Sequence, residues 1–254
     1  MNPDRSARKR TVWVVLPAFN EAANIGSVLK SLERAAGESG IALHAIVVND
    51  GSSDATGDVV RAHSGPLPAT LIEHRSNLGL GAAIRSGLLG AVDASGGDDV
   101  IVTMDADDTH TPAAIALMLA RIDAGMDVIV ASRYRDGAQV IGVPPFRRFL
   151  SYAGSLLFRI VFPIPGMRDF TCGYRAYRAS ALKAAVSRYR QEFINEEGFQ
   201  CMVDILLKLR RMNLRFCEVP LVLRYDLKRG KSKMKVGRTI IRTLMLLIKR
   251  RLES

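Results

Sequence analysis

Three carboxylates that follow one apolar segment offer the most specific chemistry in the chain. Residues 100–104 (Val-Ile-Val-Thr-Met) predict a buried strand, which ends at Asp105, Asp107 and Asp108. Oxygen ligands of this kind hold hard cations such as Mg²⁺ or Mn²⁺. A capped turn ahead of Pro112 is the alternative, but three carboxylates at the end of a buried strand favour a metal site. Strand alternation leaves Asp108 without a clear role, so Asp105 and Asp107 are the predicted ligands.

These carboxylates need a sheet to position them, and the sequence repeats the signals for strand and helix. The predicted strands are Thr11–Leu16, Ile41–Val48, Thr70–Glu73, residues 100–104 and Asp127–Ala131. Helices are predicted after Asn20 as N-cap, over Ala55–His63, over Ala82–Val92 and from Pro112. Regular alternation predicts an α/β fold with a mostly parallel sheet flanked by helices. The polar residues expected to meet at its carboxyl edge are Glu21, Asp50, Asp105, Asp107 and Arg133.

The pattern changes after Tyr134. We predict helices over Pro144–Phe162, Gly198–Arg211 and Met234–Leu252, a strand over Phe216–Arg224 and a loop over Arg168–Tyr177. Because no linker or repeat interrupts the chain, we expect one domain over 11–233. A basic tail at 1–10 precedes it, and a basic amphipathic helix at 234–254 follows it.

Charge is concentrated in the last fifth of the chain. The net charge is +11; residues 205–254 hold fifteen Lys and Arg against three Asp and Glu, a net +12, so the first 204 residues carry −1. Such asymmetry suggests nucleic acid, an anionic membrane or a phosphorylated substrate. Aromatic residues make up 6% and are not interleaved with the basic ones, so we expect no nucleic acid.

Four features of the sequence indicate how the chain relates to membranes and to its compartment. The N-terminus lacks the apolar core of a signal peptide, and no apolar window is long enough to span a bilayer. Three widely spaced cysteines favour a reducing compartment. The predicted helix over Met234–Leu252 has an apolar and a basic face. It could lie on a membrane or dock on its own domain, and the sequence leaves both open.

A set of ordered motifs resembles a known family. The motifs are Leu-Pro-Ala-Phe-Asn-Glu at 16–21, Val-Val-Asn-Asp-Gly-Ser-Ser-Asp at 47–54, Asn-Leu-Gly-Leu-Gly at 77–81, Met-Asp-Ala-Asp at 104–107, Ser-Arg-Tyr at 132–134, Cys-Gly-Tyr-Arg-Ala-Tyr at 172–177 and Glu-Val-Pro at 218–220. In this order they resemble family 2 glycosyltransferases of the GT-A fold. The branch they resemble most is the polyprenyl-phosphate (dolichyl-phosphate) mannose synthases and their glucosyl relatives.

The resemblance implies a role for each matching residue. The implied donor-binding residues are Pro17, Phe19, Glu21, Asp50, Asp105 and Ala106. The implied metal ligands, for Mg²⁺ or Mn²⁺, are Asp105, Asp107 and Thr109. The implied acceptor-phosphate residues are Arg133, Arg147, Ser151, Arg229 and Lys233. The implied catalytic residues are Asp107, Arg147 and Asp169, the last as the candidate base. The family's arginine before the final loop is displaced here, with Lys228 or Arg229 as its substitute.

The resemblance also implies the reaction. We expect a metal-dependent, inverting transfer of a hexose from a nucleotide-sugar to a polyprenyl phosphate, on the cytoplasmic face of a membrane to which the chain binds peripherally. GDP-mannose is the favoured donor, and a UDP-hexose or UDP-N-acetylhexosamine is the alternative. A non-catalytic nucleotide-sugar-binding protein and a nucleic-acid-binding protein are the readings from other classes. A membrane-protein partner and a homo-oligomer both stay open.

Overall fold

The computed structural model describes residues 10–228 and 236–252 of the chain. The strands are β1 Thr11–Ala18, β2 Ala42–Asn49, β3 Ala69–Glu73, β4 Val100–Thr103, β5 Val128–Ser132, β6 Gln139–Ile141, β7 Arg175–Arg178, β8 Phe216–Pro220 and β9 Val222–Arg224. The helices are α1 Ile25–Ser39, α2 Thr56–Arg61, α3 Leu80–Ala94, α4 Ala114–Asp123, α5 Pro145–Val161, α6 Ala179–Tyr189, α7 Gln200–Arg210 and α8 Val236–Leu252. A 3₁₀ helix covers Arg190–Ile194.

A seven-stranded sheet forms the centre of the described residues, in the order β3-β2-β1-β4-β7-β5-β8. The pairs β1–β2, β1–β4, β2–β3 and β5–β8 are parallel. Only β7 among these seven runs antiparallel, to both β4 and β5. The predicted α/β class with a mostly parallel sheet is therefore confirmed.

The central strands are buried on both faces, as their continuous apolar sequences predict. Every residue of β4 and β5 is buried, and Val12, Val14 and Val15 of β1 have no exposed surface. Burying one such aliphatic side chain stabilises the fold by about 1.5–3 kcal/mol. Helix α3 packs closely on β1, because a Cβ at Gly87 would lie 2.3 Å from Val15 Cγ1. This packing fixes the carboxyl ends of the strands.

Two strand predictions are wrong in detail. The segment predicted as a loop over Arg168–Tyr177 ends in β7, a four-residue strand too short to show a periodic pattern. The single strand predicted over Phe216–Arg224 is two strands, β8 and β9, separated at Leu221. The second of them leaves the main sheet and pairs with β6. Helix α6 and the 3₁₀ helix were not predicted.

Asn20 does not cap the first helix. That helix begins at Ile25, whereas Asn20 has a left-handed backbone with φ 52°. Its side-chain oxygen accepts a hydrogen bond from the Ser53 backbone N–H at 2.8 Å. Asn tolerates this conformation better than most residues, and here it ties the loop after β1 to the loop after β2.

Helix α8 docks on the domain through one of its faces. Leu246 and Leu247 are buried, and Arg250 donates from Nε to Asp204 Oδ1 of α7 at 2.6 Å. The same Asp204 pairs with Lys208 at 2.6 Å, and all three charged side chains are at least 90% buried. The outer face exposes Met245, Ile248 and Leu252. Docking on the domain therefore uses one face and leaves an apolar face uncovered.

Within residues 10–228 and 236–252, no helix combines the length and the apolar character needed to cross a bilayer.

Candidate active site

The predicted carboxylates lie at the carboxyl edge of the sheet, directly after β4. Asp105 is half-buried, and Asp107 exposes 13% of its side chain. Glu21 follows the neighbouring strand β1, and its negative charge acts on Asp105. The fold thus gathers carboxylates from two adjacent parallel strands, as expected for this edge of the sheet.

Asp107 is held from both sides. Thr109 donates its hydroxyl to Asp107 Oδ1 at 2.7 Å, and the Lys228 ammonium pairs with Oδ2. Desolvation alone would raise the pKa of Asp107, but Lys228 and Thr109 outweigh it and the pKa is lowered. Desolvation would likewise lower the pKa of Lys228, yet the Asp107 charge raises it. Both groups therefore stay ionised at neutral pH, and the Lys228 ammonium is the cation that pairs with the Asp107 carboxylate.

The route that brings Lys228 to Asp107 runs through β9. Arg224, the last residue of that strand, donates its backbone N–H to the carbonyl of Thr109 at 2.8 Å. Leu223 forms an antiparallel bridge with His110. These contacts attach the chain just before Lys228 to the segment just after the carboxylates.

His110 is buried beside Asp105. Its Nδ1 accepts the Asp105 backbone N–H at 3.2 Å, so Nε2 carries the proton and faces Asp105 Oδ2 at 3.9 Å. The ring stacks on Tyr174 with centroids 4.9 Å apart. The pKa of Asp105 is raised, first by desolvation and then by the negative charge of Asp107, against the opposing effect of His110.

The donor set fits a divalent cation bound together with a substrate. Among the described residues, no three His, Cys, Asp or Glu side chains form a closed metal cage. Mg²⁺ in phosphate-transfer sites uses one or two carboxylates and takes its other ligands from substrate phosphates and water. Asp105 and Asp107 supply that number, and the Lys228 ammonium already occupies a cation position on Asp107. Thr109 is buried with its hydroxyl donated to Asp107, which orients this carboxylate.

Asp50 organises the glycine-containing loop before α3. Its two oxygens accept the backbone N–H groups of Leu78 and Gly79, each at 2.9 Å. Oδ1 also bonds His74 Nδ1 at 2.7 Å. Only 4% of the Asp50 side chain is exposed. In this structure Asp50 positions the loop, and its predicted contact with the donor would use the remaining lone pair.

The other predicted donor residues line the same edge. Glu21 is buried and accepts from Asn24 Nδ2 at 2.6 Å, and its backbone N–H donates to Thr56 Oγ1 at 2.8 Å. Pro17 and Phe19 are half-buried at the end of β1. Ala106, between the two carboxylates, is buried. Their role in donor binding stays a prediction.

Arg133 and Asp169 form a buried ion pair on the other side of the site. Arg133 donates from Nη2 to Oδ1 at 2.7 Å and from Nε to Oδ2 at 2.8 Å. Asp169 also accepts the backbone N–H groups of Arg133 and Cys172, each at 3.1 Å. Desolvation would raise the pKa of Asp169, but Arg133 and these bonds lower it.

This arrangement bears on the implied role of Asp169 as a base, which stays a prediction. A general base needs a lone pair that faces the substrate and a pKa near the working pH. Asp169 has no exposed surface, its lone pairs are taken by five or more donors, and its pKa is lowered. The geometry suits Asp169 better to orienting Arg133 than to accepting a proton.

Glu218 stabilises the backbone that carries Asp169. Its Oε1 accepts the backbone N–H groups of Arg168 at 2.6 Å and Asp169 at 2.5 Å. Oε2 pairs with Arg135 Nε at 2.9 Å, and the Glu218 side chain has no exposed surface. The acid of the Glu-Val-Pro motif therefore fixes the backbone that carries Asp169.

Of the remaining predicted acceptor residues, the structure describes the side chain of Ser151 only. Ser151, on α5, is half-buried and accepts a hydrogen bond from the Tyr134 hydroxyl at 3.1 Å. The Arg133 guanidinium lies over the Tyr134 ring, 5.5 Å from its centroid. Arg147 lies one turn before Ser151 on α5, but its side chain is outside the described atoms, and Arg229 and Lys233 are outside the described residues.

Sequence reasoning missed three residues that shape the site. His110 and His74 each lie three residues outside a quoted motif, and for His110 the nearby Asp105 and Asp107 were the available signal. Glu218 was quoted as part of a motif without a task. The partners of His74 and Glu218 lie on other elements and could not be assigned from spacing, whereas His110 bonds Asp105, only five residues before it.

Comparisons with known proteins show the family to which the chain belongs. The family model of "Glycosyl transferase family 2" matches residues 13–185. An undecaprenyl-phosphate mannosyltransferase of Micrococcus luteus is 33% identical over 89% of this chain and 88% of that protein. A polyprenol monophosphomannose synthase of Mycolicibacterium smegmatis is 30% identical over 87% of this chain and 80% of that protein.

A solved structure supports the fold. Glucosyl-3-phosphoglycerate synthase from Mycobacterium tuberculosis, in complex with Mn²⁺, uridine diphosphate and glucosyl-3-phosphoglycerate, superposes with a TM-score of 0.64 at 23% identity. The match covers 94% of this chain and 80% of that one. The family match covers well over half of the chain, and the sequence relatives extend over most of it. The chain therefore belongs to glycosyl transferase family 2 and is a glycosyltransferase.

Proposed function

We propose that this glycosyltransferase moves mannose from GDP-mannose to a polyprenyl phosphate at a membrane surface, with a divalent cation. The observation that carries the proposal is the pairing of two sites on one sheet edge. The carboxylates Asp105 and Asp107 with the Lys228 ammonium suit a nucleoside diphosphate and its metal. Arg133, oriented by Asp169, suits an anionic acceptor.

The sugar and the acceptor are proposed from the relatives. Proteins 30–33% identical over most of the chain are named as undecaprenyl-phosphate and polyprenol mannosyltransferases. A shared donor and acceptor class is the simplest extension of that likeness. The structural neighbours with uridine diphosphate are under 25% identical and support the fold assignment but not the choice of donor.

The metal would be held by Asp105 and Asp107. Mg²⁺ and Mn²⁺ both suit these oxygen donors. When bound, such a cation neutralises the negative charge that develops on the leaving diphosphate. Lys228 contributes a second positive charge at the same end of the site, and Thr109 and His110 keep the carboxylates oriented.

The chemistry on the acceptor side follows from charge. A phosphate monoester is largely ionised at pH 7 because its second pKa is ~6. One of its oxygens can attack the anomeric carbon while the bond to the diphosphate oxygen breaks, so no base has to remove a proton. A single displacement inverts the configuration at that carbon. Arg133, with Arg147 and Ser151, would align the phosphate, for which the planar guanidinium is well shaped.

Helix α5 supports action at a membrane surface. It exposes large apolar side chains, which are Phe146, Phe149, Tyr152, Leu156, Leu157 and Ile160, at 37–71% of their surface. Basic residues Arg148 and Arg159 lie on the same helix and are exposed. An amphipathic helix with this composition binds at the interface of an anionic bilayer. Helix α8 adds the exposed apolar residues of its outer face.

A donor panel tests the proposal. The full chain is incubated with polyprenyl phosphate, Mg²⁺ or Mn²⁺, and one labelled donor at a time: GDP-mannose, UDP-glucose, UDP-galactose or UDP-N-acetylglucosamine. We expect label in the lipid phase with GDP-mannose only. Product from a UDP-sugar would replace the proposed donor, and no lipid-linked product from any donor would refute the acceptor assignment.

Matched variants test the carboxylate assignment. Asp107→Asn should lower transfer about 10³-fold, because metal stabilisation of the leaving group is worth several kcal/mol. Asp108→Asn is the control, since it makes the same chemical change one position away. The Asp108 carboxylate bonds Ser27 Oγ at 2.7 Å, and Asn tolerates its φ of 64°. Equal activity of the two variants would contradict the assignment.

A further inference from the structure

A cavity next to the proposed acceptor side has no task in the reaction described above. It has a volume of about 200 Å³ and lies between α5 and the loops that follow β5 and precede β7. Its lining residues are Tyr134, Tyr152, Ser155, Leu156, Arg159 and Arg168. At about 30 Å³ for each water molecule of the liquid, this space is sufficient for a phosphate group with attached atoms.

The cavity carries positive charge without a matching carboxylate. Arg159 makes no hydrogen bond or ion pair with any other residue that the structure describes. The guanidinium of Arg168 donates once, from Nη1 to the carbonyl of Tyr134 at 3.0 Å, and this neutral partner leaves its charge uncompensated. No acidic residue lines the described cavity. Two guanidinium groups beside an open polar pocket favour an anion with several acceptor oxygens.

Tyr134 connects this cavity to the acceptor side. Its side chain lines the cavity, its hydroxyl donates to Ser151, and its ring faces the Arg133 guanidinium at 5.5 Å. Ser151, Ser155 and Arg159 follow one another at intervals of four residues, so they lie along one face of α5. The cavity is therefore the next position along the helix after the proposed acceptor phosphate.

The rim of the cavity indicates the kind of anion. Tyr152 and Leu156 line it and are themselves 51% and 40% exposed. The adjoining surface of α5 exposes Leu157 and Ile160. A soluble anion gains nothing from apolar side chains around its site. A lipid with a phosphate in its headgroup gains binding free energy from the guanidinium groups and from the apolar rim, because its acyl chains can contact that rim.

We propose that this cavity binds the phosphate-containing headgroup of an anionic membrane phospholipid, separately from the polyprenyl phosphate acceptor. This inference rests on the proposed action at a membrane surface. A bound headgroup beside Tyr134 would fix α5 against the bilayer next to the acceptor site. The enzyme would then recognise two lipid phosphates, one as substrate and one as an anchor.

Vesicle binding of the full chain tests the charge requirement. Vesicles of phosphatidylcholine, with or without phosphatidylglycerol, are mixed with the protein and separated by flotation. Arg159→Gln is compared with Arg148→Gln, an exposed arginine on the same helix that does not line the cavity. Loss of one charge near an anionic surface weakens binding about fivefold. Because a hydrogen bond to a charged group is worth a further tenfold or more, Arg159→Gln should lose at least tenfold more than Arg148→Gln.

A second pair of variants tests the space without altering charge. Leu156→Trp fills the cavity, whereas Leu157→Trp places the same side chain on the neighbouring surface. Both leucines are partly exposed, at 40% and 37%, so both substitutions are compatible with folding. We expect Leu156→Trp to lose the preference for phosphatidylglycerol and Leu157→Trp to keep it. Equal behaviour within both pairs would overturn the proposal and leave diffuse electrostatic attraction.

Two further arms separate the source of the phosphate and the proposed function. sn-Glycerol 3-phosphate is titrated into the protein without vesicles at constant ionic strength; protection against heating at micromolar concentration would assign the site to a soluble anion instead. Transfer to a dispersed short-chain polyprenyl phosphate is measured for the same variants. We expect activity close to that of the parent. If the parent lacked this activity, the proposed function would fail, while the vesicle result would still decide the headgroup site.

Discussion

Replacing Asp169 with Asn distinguishes a positioning residue from a general base. The side chain has no exposed surface, and both oxygens accept hydrogen bonds, from Arg133 and from backbone N–H groups. In the variant one of these oxygens becomes an NH₂ group that faces donors. The positive charge of Arg133 also loses its partner.

The magnitude follows from burial. Removing one partner of a buried ion pair costs about 3–5 kcal/mol. Because the Arg133 side chain is 20% exposed, water recovers part of this loss, and we expect about 2–4 kcal/mol. In a chain of this size 1 kcal/mol lowers Tm by about 2–4 °C. The expected decrease is therefore about 5–15 °C, whereas Asp136→Asn, at an exposed position, should stay within about 2 °C.

Activity completes the comparison. A positioning role predicts a raised KM for the acceptor phosphate and an unchanged pH profile of kcat. It also predicts that Arg133→Gln and Asp169→Asn are not additive, because both remove the same interaction. The reasoning would be refuted by a variant with unchanged Tm and acceptor KM whose kcat fell more than about 10³-fold, since that pattern belongs to a lost catalytic group.

Three further outcomes follow from the structure. Because the pKa of Asp169 is lowered in the folded state, its contribution to stability is complete above its ordinary pKa of ~3.9 and is lost as pH falls through the lower folded-state value. Acid unfolding of Asp169→Asn, followed by circular dichroism, should lack this loss. Parallel acid-unfolding curves of the variant and the parent would contradict it. Gly81→Ala should destabilise the chain by more than about 2 kcal/mol in urea, because its Cβ would lie 1.8 Å from the Glu196 carbonyl oxygen, with Gly37→Ala, which meets nothing within 4 Å, as the control. Native thiol labelling should reach Cys217 before Cys172 and Cys201, because burial raises the pKa of these two thiols to about 12 while Cys217 is less covered. Labelling of either buried thiol before Cys217 would refute the packing.

The parallel half of the fold could be predicted because its signals are local. The apolar segments before Glu21, Asp50 and Asp105 are long, β-branched and followed by turn formers. Parallel strands place their carboxyl ends together, so the meeting of these residues at one edge followed directly from the strand assignment.

The rest depends on contacts between residues far apart in sequence. Lys228 and Asp107 are 121 positions apart, and no pattern in either segment identifies the other. The resemblance implied Asp169 as a candidate base, but its contacts are with Arg133 and Glu218, which approach it only in the folded chain. Strand β7 has four residues and is recognisable only from the two strands on either side of it.

The reversed direction of β7 has a consequence for the whole reaction centre. A strand that runs against its neighbours begins where they end, so the loop that enters β7 arrives at the edge where β4 delivers Asp105. Thr103 Oγ1 donates to the carbonyl of Gly173 at 2.7 Å and joins the two. The loop after β4, which carries Asp105 and Asp107, and the loop before β7, which carries Asp169, thus belong to strands of opposite direction and meet at one edge. If the proposed function holds, we expect that the loop before β7 can change in length and composition while the strands keep the carboxylate loop in place, so that a new acceptor would not require a rebuilt nucleotide side.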